Sequence, residues 1–209
     1  MREIPRVLRL PYRCLQRLMV LEAVAVLVAK SEDVISSIDS TNNARALKAG
    51  ELKEFIERNE APHCEHLIGH LTNERTTCFG ITEAEHLISF AWVHHGSPPA
   101  ELNQGRHPAT ATSLQLENAA AFVFHAYTSP SSRGKQLLTK VLSEAAQSLY
   151  QHNGVSSLVT TTEVVNDAAR SAFRRSGFKE IGTYWRFGMG KWVGGRYPKP
   201  NRPINGYGG

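Results

Sequence analysis

The chain has 209 residues, of which 41% are hydrophobic, so it is long enough to bury the core of one domain. Its three cysteines, Cys14, Cys64 and Cys78, are odd in number and far apart, which excludes a disulfide framework and a zinc site and favours a reducing, cytoplasmic location. The formal net charge of +5 favours acidic ligands, but the basic residues are spread along the chain without a nucleic-acid-binding motif, so nucleic acid is not expected as a partner.

The first 43 residues form a basic N-terminal segment, for which we predict a helix and a strand that are either part of the main domain or appended to it. Its arginines recur three or four positions apart: Arg2, Arg6, Arg9, Arg13 and Arg17. On a helix they would share one face, which is either solvated or docks on a membrane surface or a carrier protein.

Residues 18–29 are strongly apolar. The run is too short to span a bilayer and contains Glu22, so we predict no integral membrane span. A secretion signal is the alternative, but Glu22 interrupts its apolar core and no small-residue cleavage site stands out. We therefore predict a buried strand over residues 20–28 at the edge of the domain. The polar residues 31–43 predict a connection.

The next part of the chain carries helix and hairpin signals. Apolar residues at helical spacing within residues 47–56 predict an amphipathic helix that ends before Pro62, and residues 66–71 predict a second, shorter helix. Residues 77–93 predict a β-hairpin. Residues 96–108 contain several prolines and glycines and predict a loop, which either covers a pocket or has no function.

A strand, a turn and a helix then follow one another. Residues 119–127 are apolar and aromatic enough for a strand buried on both faces. After the turn Ser-Pro-Ser-Ser-Arg-Gly-Lys at residues 129–135, an apolar stripe from Leu137 to Leu149 predicts a helix with Arg and Lys in its first turn. Asn-Gly at residues 153–154 ends it. Free N–H groups at the positive end of a helix dipole bind phosphate, whereas the alternative is a plain turn with solvated cations.

A second strand and helix come next. Residues 155–162 are dense in β-branched residues, as is typical of a strand. Asn166 or the residue after it then caps a helix that ends at Gly177. Residues 178–192 predict further strand with a turn at its glycines, and residues 194–209, rich in Pro and Gly, predict a tail that is flexible or lies along the surface.

Two of these motifs together resemble a known family. Pro-x-x-Arg-Gly-Lys at residues 130–135, followed by Asn-Asp-Ala-Ala-Arg-Ser-Ala-Phe-Arg-Arg-Ser-Gly-Phe at residues 166–178, is similar to the motifs of the GCN5-related N-acetyltransferase (GNAT) superfamily. The resemblance covers roughly residues 75–193. It implies an α/β fold of the GNAT (acyl-CoA N-acyltransferase) type, in which a central twisted mixed β-sheet is flanked by helices. We accordingly expect a GNAT acyltransferase domain at residues 44–193, followed by the Pro/Gly-rich tail at residues 194–209.

The resemblance implies that the turn binds the pyrophosphate of acetyl-CoA, or of another acyl-CoA, as co-substrate. Backbone amides and two side-chain charges would hold it, from Arg133, Gly134, Lys135, Gln136, Leu137 and Leu138. The family has Gly where Gln136 stands and Gly or Ala where Leu138 stands, because a small residue lets the backbone approach phosphate closely. A residue with a Cβ can still present its N–H in a helical first turn, so we expect a tightened site.

Further roles follow from the same resemblance. Main-chain groups of Ala126 and Tyr127 would pair with the pantetheine arm, and one of those amides would polarise the thioester carbonyl. Asn166 would contact the cofactor or would act only as a helix N-cap. The family commonly protonates the leaving thiolate with a tyrosine where this chain has Phe173. Tyr127 or water would therefore be the proton donor, and Phe173 would pack against the sheet or the cofactor.

Transfer to an amine also needs a proton acceptor, because an amine with a pKa of about 10.4 is protonated at neutral pH. His125 on the central strand and Glu163 at the end of the next strand are the candidates, and water is a third. The alternatives for the two side chains are a hydrogen-bonded core histidine and a solvated strand end. We expect no metal.

The predicted function is therefore transfer of an acetyl group from acetyl-CoA to a primary amine by direct attack, with a small molecule or a peptide as acceptor. Phe173 and the substituted turn leave two alternatives open. One is a non-catalytic acyl-CoA-binding or regulatory module, and the other is transfer of a longer acyl chain from CoA or from a carrier protein. A homodimer is one of the assemblies left open.

Overall fold

The computed structural model describes residues 11–12, 14–15, 19–35, 43–105, 108–189 and 192–196. The strands within these residues are β1 (Val20–Lys30), β2 (Ala44–Ala46), β3 (Thr76–Glu83), β4 (His86–His95), β5 (Ala120–Thr128), β6 (Ser157–Glu163), β7 (Lys179–Met189) and β8 (Trp192–Arg196). The α-helices are α1 (Ser31–Ile35), α2 (Ala49–Glu57), α3 (Leu137–Asn153) and α4 (Asp167–Arg175). Short 3-10 helices cover Glu65–Thr72, Ala100–Asn103, Pro108–Thr110 and Pro130–Ser132.

All eight strands belong to one mixed sheet, which confirms the predicted architecture. Its order is β2-β3-β4-β5-β6-β1-β7-β8. β5 and β6 pair in parallel, and the other neighbouring strands pair antiparallel. The parallel ladder runs only from Ala120 opposite Ser157 to Val123 opposite Thr160. Beyond that point β5 and β6 separate, and a gap opens within the sheet.

Helices cover the two faces of the sheet and define two core clusters. On one face, α1, α3 and α4 contribute Val34, Val141 and Phe173 to the first cluster. On the other face, α2 and the loop of residues 96–116 contribute Leu52 and Leu114 to the second. We call these the α3 face and the α2 face.

The N-terminal strand is present as predicted, but its predicted place at the edge of the domain is wrong. β1 lies inside the sheet between β6 and β7, and residues 23–29 are at most 3% exposed. A strand buried on both faces has a continuous apolar run, so the run itself could not indicate which strands flank it. Apart from residues 11–12 and 14–15, the predicted arginine-bearing helix lies outside the described residues.

Two further segments differ from expectation. The predicted connection begins with α1, because Ser31 Oγ donates to the carbonyl oxygen of Val155 at 2.8 Å and Val34 is fully buried. β8 extends to Arg196, so it includes the first residues of the predicted tail. The rest of the tail, residues 197–209, lies outside the described residues.

The other predicted helices and strands are present, with Glu65–Thr72 as a 3-10 helix where the sequence predicted a short helix. The β3–β4 hairpin turns at Ala84 and Glu85, whose φ angles of 48° and 67° suit a tight hairpin turn. α3 ends at Gly154, which has φ 66°. No helix among the described residues combines the length and apolarity needed to cross a bilayer.

Candidate functional site

A cleft of about 850 Å³ opens where β5 and β6 separate, between the turn after β5 and helix α4. Its lining residues are Ala126, Tyr127, Thr128, Ser132, Arg133, Gly134, Gln136, Leu137, Leu138, Thr139, Asn166, Ala168, Ser171, Ala172 and Arg175. Of these described residues none is an aspartate or glutamate, and two are arginines. The cleft therefore suits a ligand that carries several negative charges.

The β5 wall of the cleft is irregular main chain. The register of β4 and β5 shifts so that His125 and Ala126 together lie opposite Ala91, which makes a β-bulge. His125 has φ 45°, in the left-handed region. After the bulge, Ala126 and Tyr127 line the cleft on the side where β6 no longer pairs with β5. Their peptide groups are thus available to a ligand that lies along β5 like another strand.

The turn after β5 differs from the prediction in one respect. α3 begins at Leu137, so Arg133 and Lys135 precede the helix and do not lie in its first turn. Gln136 is the N-cap residue, and its φ of 55° and ψ of 25° are left-handed. The expectation that Gln136 would sit in a helical first turn is therefore wrong. Glycine adopts this conformation without a steric penalty, which is a physical reason why the resembling family has glycine where this chain has Gln136.

The two basic side chains of the turn diverge. Arg133 lines the 850 Å³ cleft, and its Nε lies 3.4 Å from the carbonyl oxygen of Thr128. Lys135 instead lines a separate cleft of about 190 Å³ with Glu83 and Lys140. The second positive charge of the main cleft comes from Arg175, at the end of α4. Sequence reasoning missed Arg175, although it lies seven, four and three positions after Ala168, Ser171 and Ala172, on the helical face that these residues turn to the cleft.

Helix α4 forms the facing wall. Asn166 Oδ1 accepts a hydrogen bond from the backbone N–H of Ala169 at 3.1 Å, so the N-cap role is present. Asn166 also lines the cleft, and the capping bond leaves its Nδ2 as a donor. Arg170 is 4% exposed and donates to the Val164 carbonyl at 3.0 Å and to Glu180 at 2.8 Å. These bonds hold the connection that carries Asn166 against β7.

Phe173 belongs to the core of the α3 face. It is 5% exposed and packs edge-on against Phe178, with ring centroids 5.2 Å apart. It is not among the residues that line the cleft. The predicted packing against the sheet is present, and a contact of Phe173 with a cofactor stays a prediction.

His125 lies on the α2 face, in contact with residues of the second core cluster. Its Nε2 is 2.9 Å from the carbonyl oxygen of Pro62, and its ring stacks on Phe90 at 5.9 Å. A carbonyl only accepts, so Nε2 carries the proton and Nδ1 of the neutral ring is the acceptor. Burial lowers the pKa of His125, although the bond to Pro62 opposes this. The side chain is thus a neutral imidazole of fixed tautomer at neutral pH.

The other two candidate catalytic residues are placed differently. Tyr127 lines the cleft, and its ring lies 5.7 Å from that of Phe90, so Phe90 contacts both Tyr127 and His125. Glu163 ends β6 opposite Val24 of β1 and does not line the cleft. The structure thus brings His125 and Tyr127 together around one aromatic ring and places Glu163 on the far strand of the gap.

A buried polar network that sequence reasoning missed holds Asn103 and Thr112, which lie between β4 and β5 in the chain, on the α2 face. Asn103 Oδ1 accepts hydrogen bonds from Thr161 at 2.8 Å, Tyr184 at 3.2 Å and Arg186 at 3.1 Å. Arg186 also donates to Glu22 at 3.1 Å. Because Thr161 follows the last residue of β6 that pairs with β5, the network fixes the loop beside the gap. The presence of Glu22 within an apolar run could have predicted a buried ion pair from the sequence.

Comparison with known proteins agrees with this geometry. The model of the acetyltransferase (GNAT) family matches residues 44–178. No curated protein matches the chain.

Several solved structures have a similar fold. A GCN5-related N-acetyltransferase from Kribbella flavida is 16% identical with a TM-score of 0.54, over 86% of this chain and 63% of that one. An acetyltransferase of the GNAT family from Colwellia psychrerythraea is 15% identical with a TM-score of 0.52, over 88% of this chain and 62% of that one. A functionally unknown conserved protein from Staphylococcus epidermidis is 6% identical with a TM-score of 0.56, over 90% of this chain and 68% of that one. This chain therefore spans about two thirds of the length of these structures.

Proposed function

Since the chain belongs to the acetyltransferase (GNAT) family, we propose that it transfers an acetyl group from acetyl-CoA to a primary amine. The observation that carries the proposal is the cleft at the separated ends of β5 and β6, with main-chain groups on one side and two arginines among its lining. A thioester of CoA has an extended amide-containing arm and several phosphates. The lining offers hydrogen-bonding backbone for the arm and positive charge for the phosphates.

Binding residues follow from the lining of the cleft. The backbone amides between Arg133 and Leu138, with the Arg133 guanidinium, would hold the pyrophosphate. Ala126 and Tyr127 would pair with the amides of the pantetheine arm, and Nδ2 of Asn166 would donate to it from the facing wall. Lys135 is not part of this set, because it lines the neighbouring cleft.

The bound thioester would supply an activated acetyl carbon. An N–H of Ala126 or Tyr127 would polarise its carbonyl oxygen at the bulge. The lone pair of the neutral amine forms the new C–N bond, the C–S bond breaks, and the sulfur takes the electron pair. The acceptor would enter from the α2 face, since α3 and α4 occupy the cofactor side.

His125 is the proton acceptor that we favour over Glu163. Its Nε2–H is committed to the Pro62 carbonyl, so Nδ1 would take the proton that the amine loses. Burial lowers the pKa of His125, which keeps this nitrogen unprotonated at neutral pH. Tyr127 or water would return a proton to the thiolate, a tolerable leaving group because a thiol has a pKa of about 8.5.

A second candidate is an acyl-CoA-binding module without turnover. Phe173 favours it, because this side chain has no hydroxyl and is packed in the core. Gln136 favours it as well, because it has a side chain at the start of α3, where a small residue would let the backbone approach phosphate closely.

The test is amine-dependent release of thiol from acetyl-CoA, measured with a panel of small and peptide amines, together with calorimetric binding of CoA. Thiol release that needs an amine, with the acetylated amine identified by mass spectrometry, supports the transferase. Binding without amine-dependent release supports the second candidate. Absence of binding would remove both, and the longer acyl thioesters in the same assay would test the chain length of the acyl group.

A further inference from the structure

Arg175 lines the cleft, but it is not one of the residues that we propose to hold the pyrophosphate. It lies at the C-terminal end of α4, and it shares one helical face with Ala168, Ser171 and Ala172, which also line the cleft. Arg175 is nine positions after Asn166, which corresponds to a rise of roughly 13 Å along the helix. The helix thus presents Arg175 well away from the end of the cleft that borders the strands.

The guanidinium of Arg175 is exposed, and within the described part of the chain it has no ion pair or hydrogen bond. Its neighbour Arg174 has the same charge but a different environment, because its Nη2 lies 3.1 Å from Glu180 and it does not line the cleft. Arg175 therefore adds positive charge to the cleft that no carboxylate of the lining neutralises.

Two positively charged positions lie on opposite walls of the cleft. The first is the turn with Arg133 and its backbone amides, which is sufficient for a diphosphate. The second is Arg175, which matches a ligand with a further phosphate beyond the diphosphate. CoA has such a group, the phosphate on the 3′-oxygen of its ribose, whereas the phosphopantetheine of a carrier protein has a single phosphate and no nucleotide.

We propose that Arg175 binds the 3′-phosphate of CoA and so selects free CoA thioesters over dephosphorylated or carrier-bound donors. The proposal rests on the proposed function, since it assumes that the cleft holds the nucleotide part of the donor. A guanidinium binds a phosphate dianion with charge-assisted hydrogen bonds, which 3′-dephospho-CoA cannot form.

The experiment measures calorimetric affinities of CoA, 3′-dephospho-CoA and 4′-phosphopantetheine for the wild-type chain, Arg175→Gln and Arg174→Gln. We expect the wild type to bind CoA about tenfold more tightly than 3′-dephospho-CoA. Arg175→Gln should remove this difference by weakening CoA alone, and Arg174→Gln should keep it. Since Arg175 is exposed, its replacement should leave the thermal unfolding midpoint unchanged.

Other results overturn the proposal in distinct ways. Equal weakening of CoA and 3′-dephospho-CoA by Arg175→Gln would make Arg175 a pyrophosphate ligand. Unchanged affinities would leave it without a role in donor binding, while the proposed function would stand. If the wild type binds none of the three probes, the proposed function itself fails.

Discussion

Arg186 Nη1 lies 3.1 Å from Glu22 Oε2, and both side chains are 3% exposed. This ion pair joins β1 to β7, and Arg186 donates further to the carbonyl oxygen of Asn103 at 2.7 Å and to Tyr184 at 2.7 Å. Gly105 packs so closely on the Glu22 carboxylate that a Cβ at this position would overlap it. The N-terminal strand, the last long strand and the loop beside the gap are thus held by one polar cluster.

Replacing Glu22 should destabilise the fold strongly. Glu22→Ala leaves the Arg186 charge buried without its carboxylate, which typically costs about 3–5 kcal/mol of unfolding free energy. Urea denaturation measures the loss. Glu32→Ala, at an exposed position of α1, is the matched control and should change the midpoint little. A Glu22→Ala variant as stable as the control would show that the pair does not hold β1 in place.

The His125 geometry predicts a particular pH dependence. A base works in its neutral form, and burial lowers the pKa of His125 below its ordinary 6.5. The acidic limb of kcat/KM should therefore have its midpoint below 6.5. His125→Gln should lower kcat about a hundredfold or more and remove this limb.

The control for His125 is His152, which lies on the exposed end of α3, where its Nδ1 is 2.8 Å from the carbonyl oxygen of Ser148. His152→Gln should leave the pH–rate profile unchanged. If the acidic limb survives in His125→Gln, the proton acceptor is another group, and Glu163 becomes the first alternative.

Arg133 and Lys135 are two residues apart and should respond differently to the same substitution. Arg133→Gln should weaken CoA binding about tenfold, because a charge-assisted contact to phosphate is lost from the cleft. Lys135→Gln should change the affinity much less, since Lys135 lines the neighbouring cleft. Calorimetric titration of both variants gives the comparison. An equal loss in the two variants would mean that only the net charge of the turn matters.

Much of the fold could be predicted because it depends on local patterns. The stripe from Leu137 to Leu149, the hairpin around Ala84 and the cap at Gly154 are all readable from neighbouring residues. The position of β1 in the sheet could not be predicted in this way, because strand order depends on pairs of residues that are far apart in the chain, such as Val24 and Glu163.

The sequence predicted which turn lines the candidate site, but it did not predict which side chains of that turn point into the cleft. Arg133 and Lys135 look equivalent in sequence, but the backbone between them turns at Gly134, with φ 84°, and sends them to different clefts. The left-handed Gln136 was hidden because a residue with a side chain gives no local signal for positive φ. Arg175 could not be predicted as a cleft residue, because the sequence does not show which face of α4 lies towards the turn on the opposite wall.

Gln136 offers a test of backbone strain. Its left-handed conformation costs about 1–2 kcal/mol for a residue with a Cβ, and the greater freedom of glycine in the unfolded chain offsets part of that cost. Gln136→Gly should therefore raise the unfolding free energy by about 0.5–1 kcal/mol, as measured in urea. Gln136→Ala keeps the Cβ and should not give this gain. Destabilisation by glycine instead would show that the conformation is not strained.

Phe173 provides the last prediction. A hydroxyl added by Phe173→Tyr would enter the core beside Phe178, since the Phe173 ring is only 5% exposed. The variant should lose about 1–3 kcal/mol of stability, the usual cost of a buried polar group without a partner, and should not release thiol faster. Phe187→Tyr is the control, because Phe187 is 50% exposed and its hydroxyl would reach water. A faster Phe173→Tyr enzyme with unchanged stability would instead mean that the ring reaches the cleft and that a missing proton donor limits turnover.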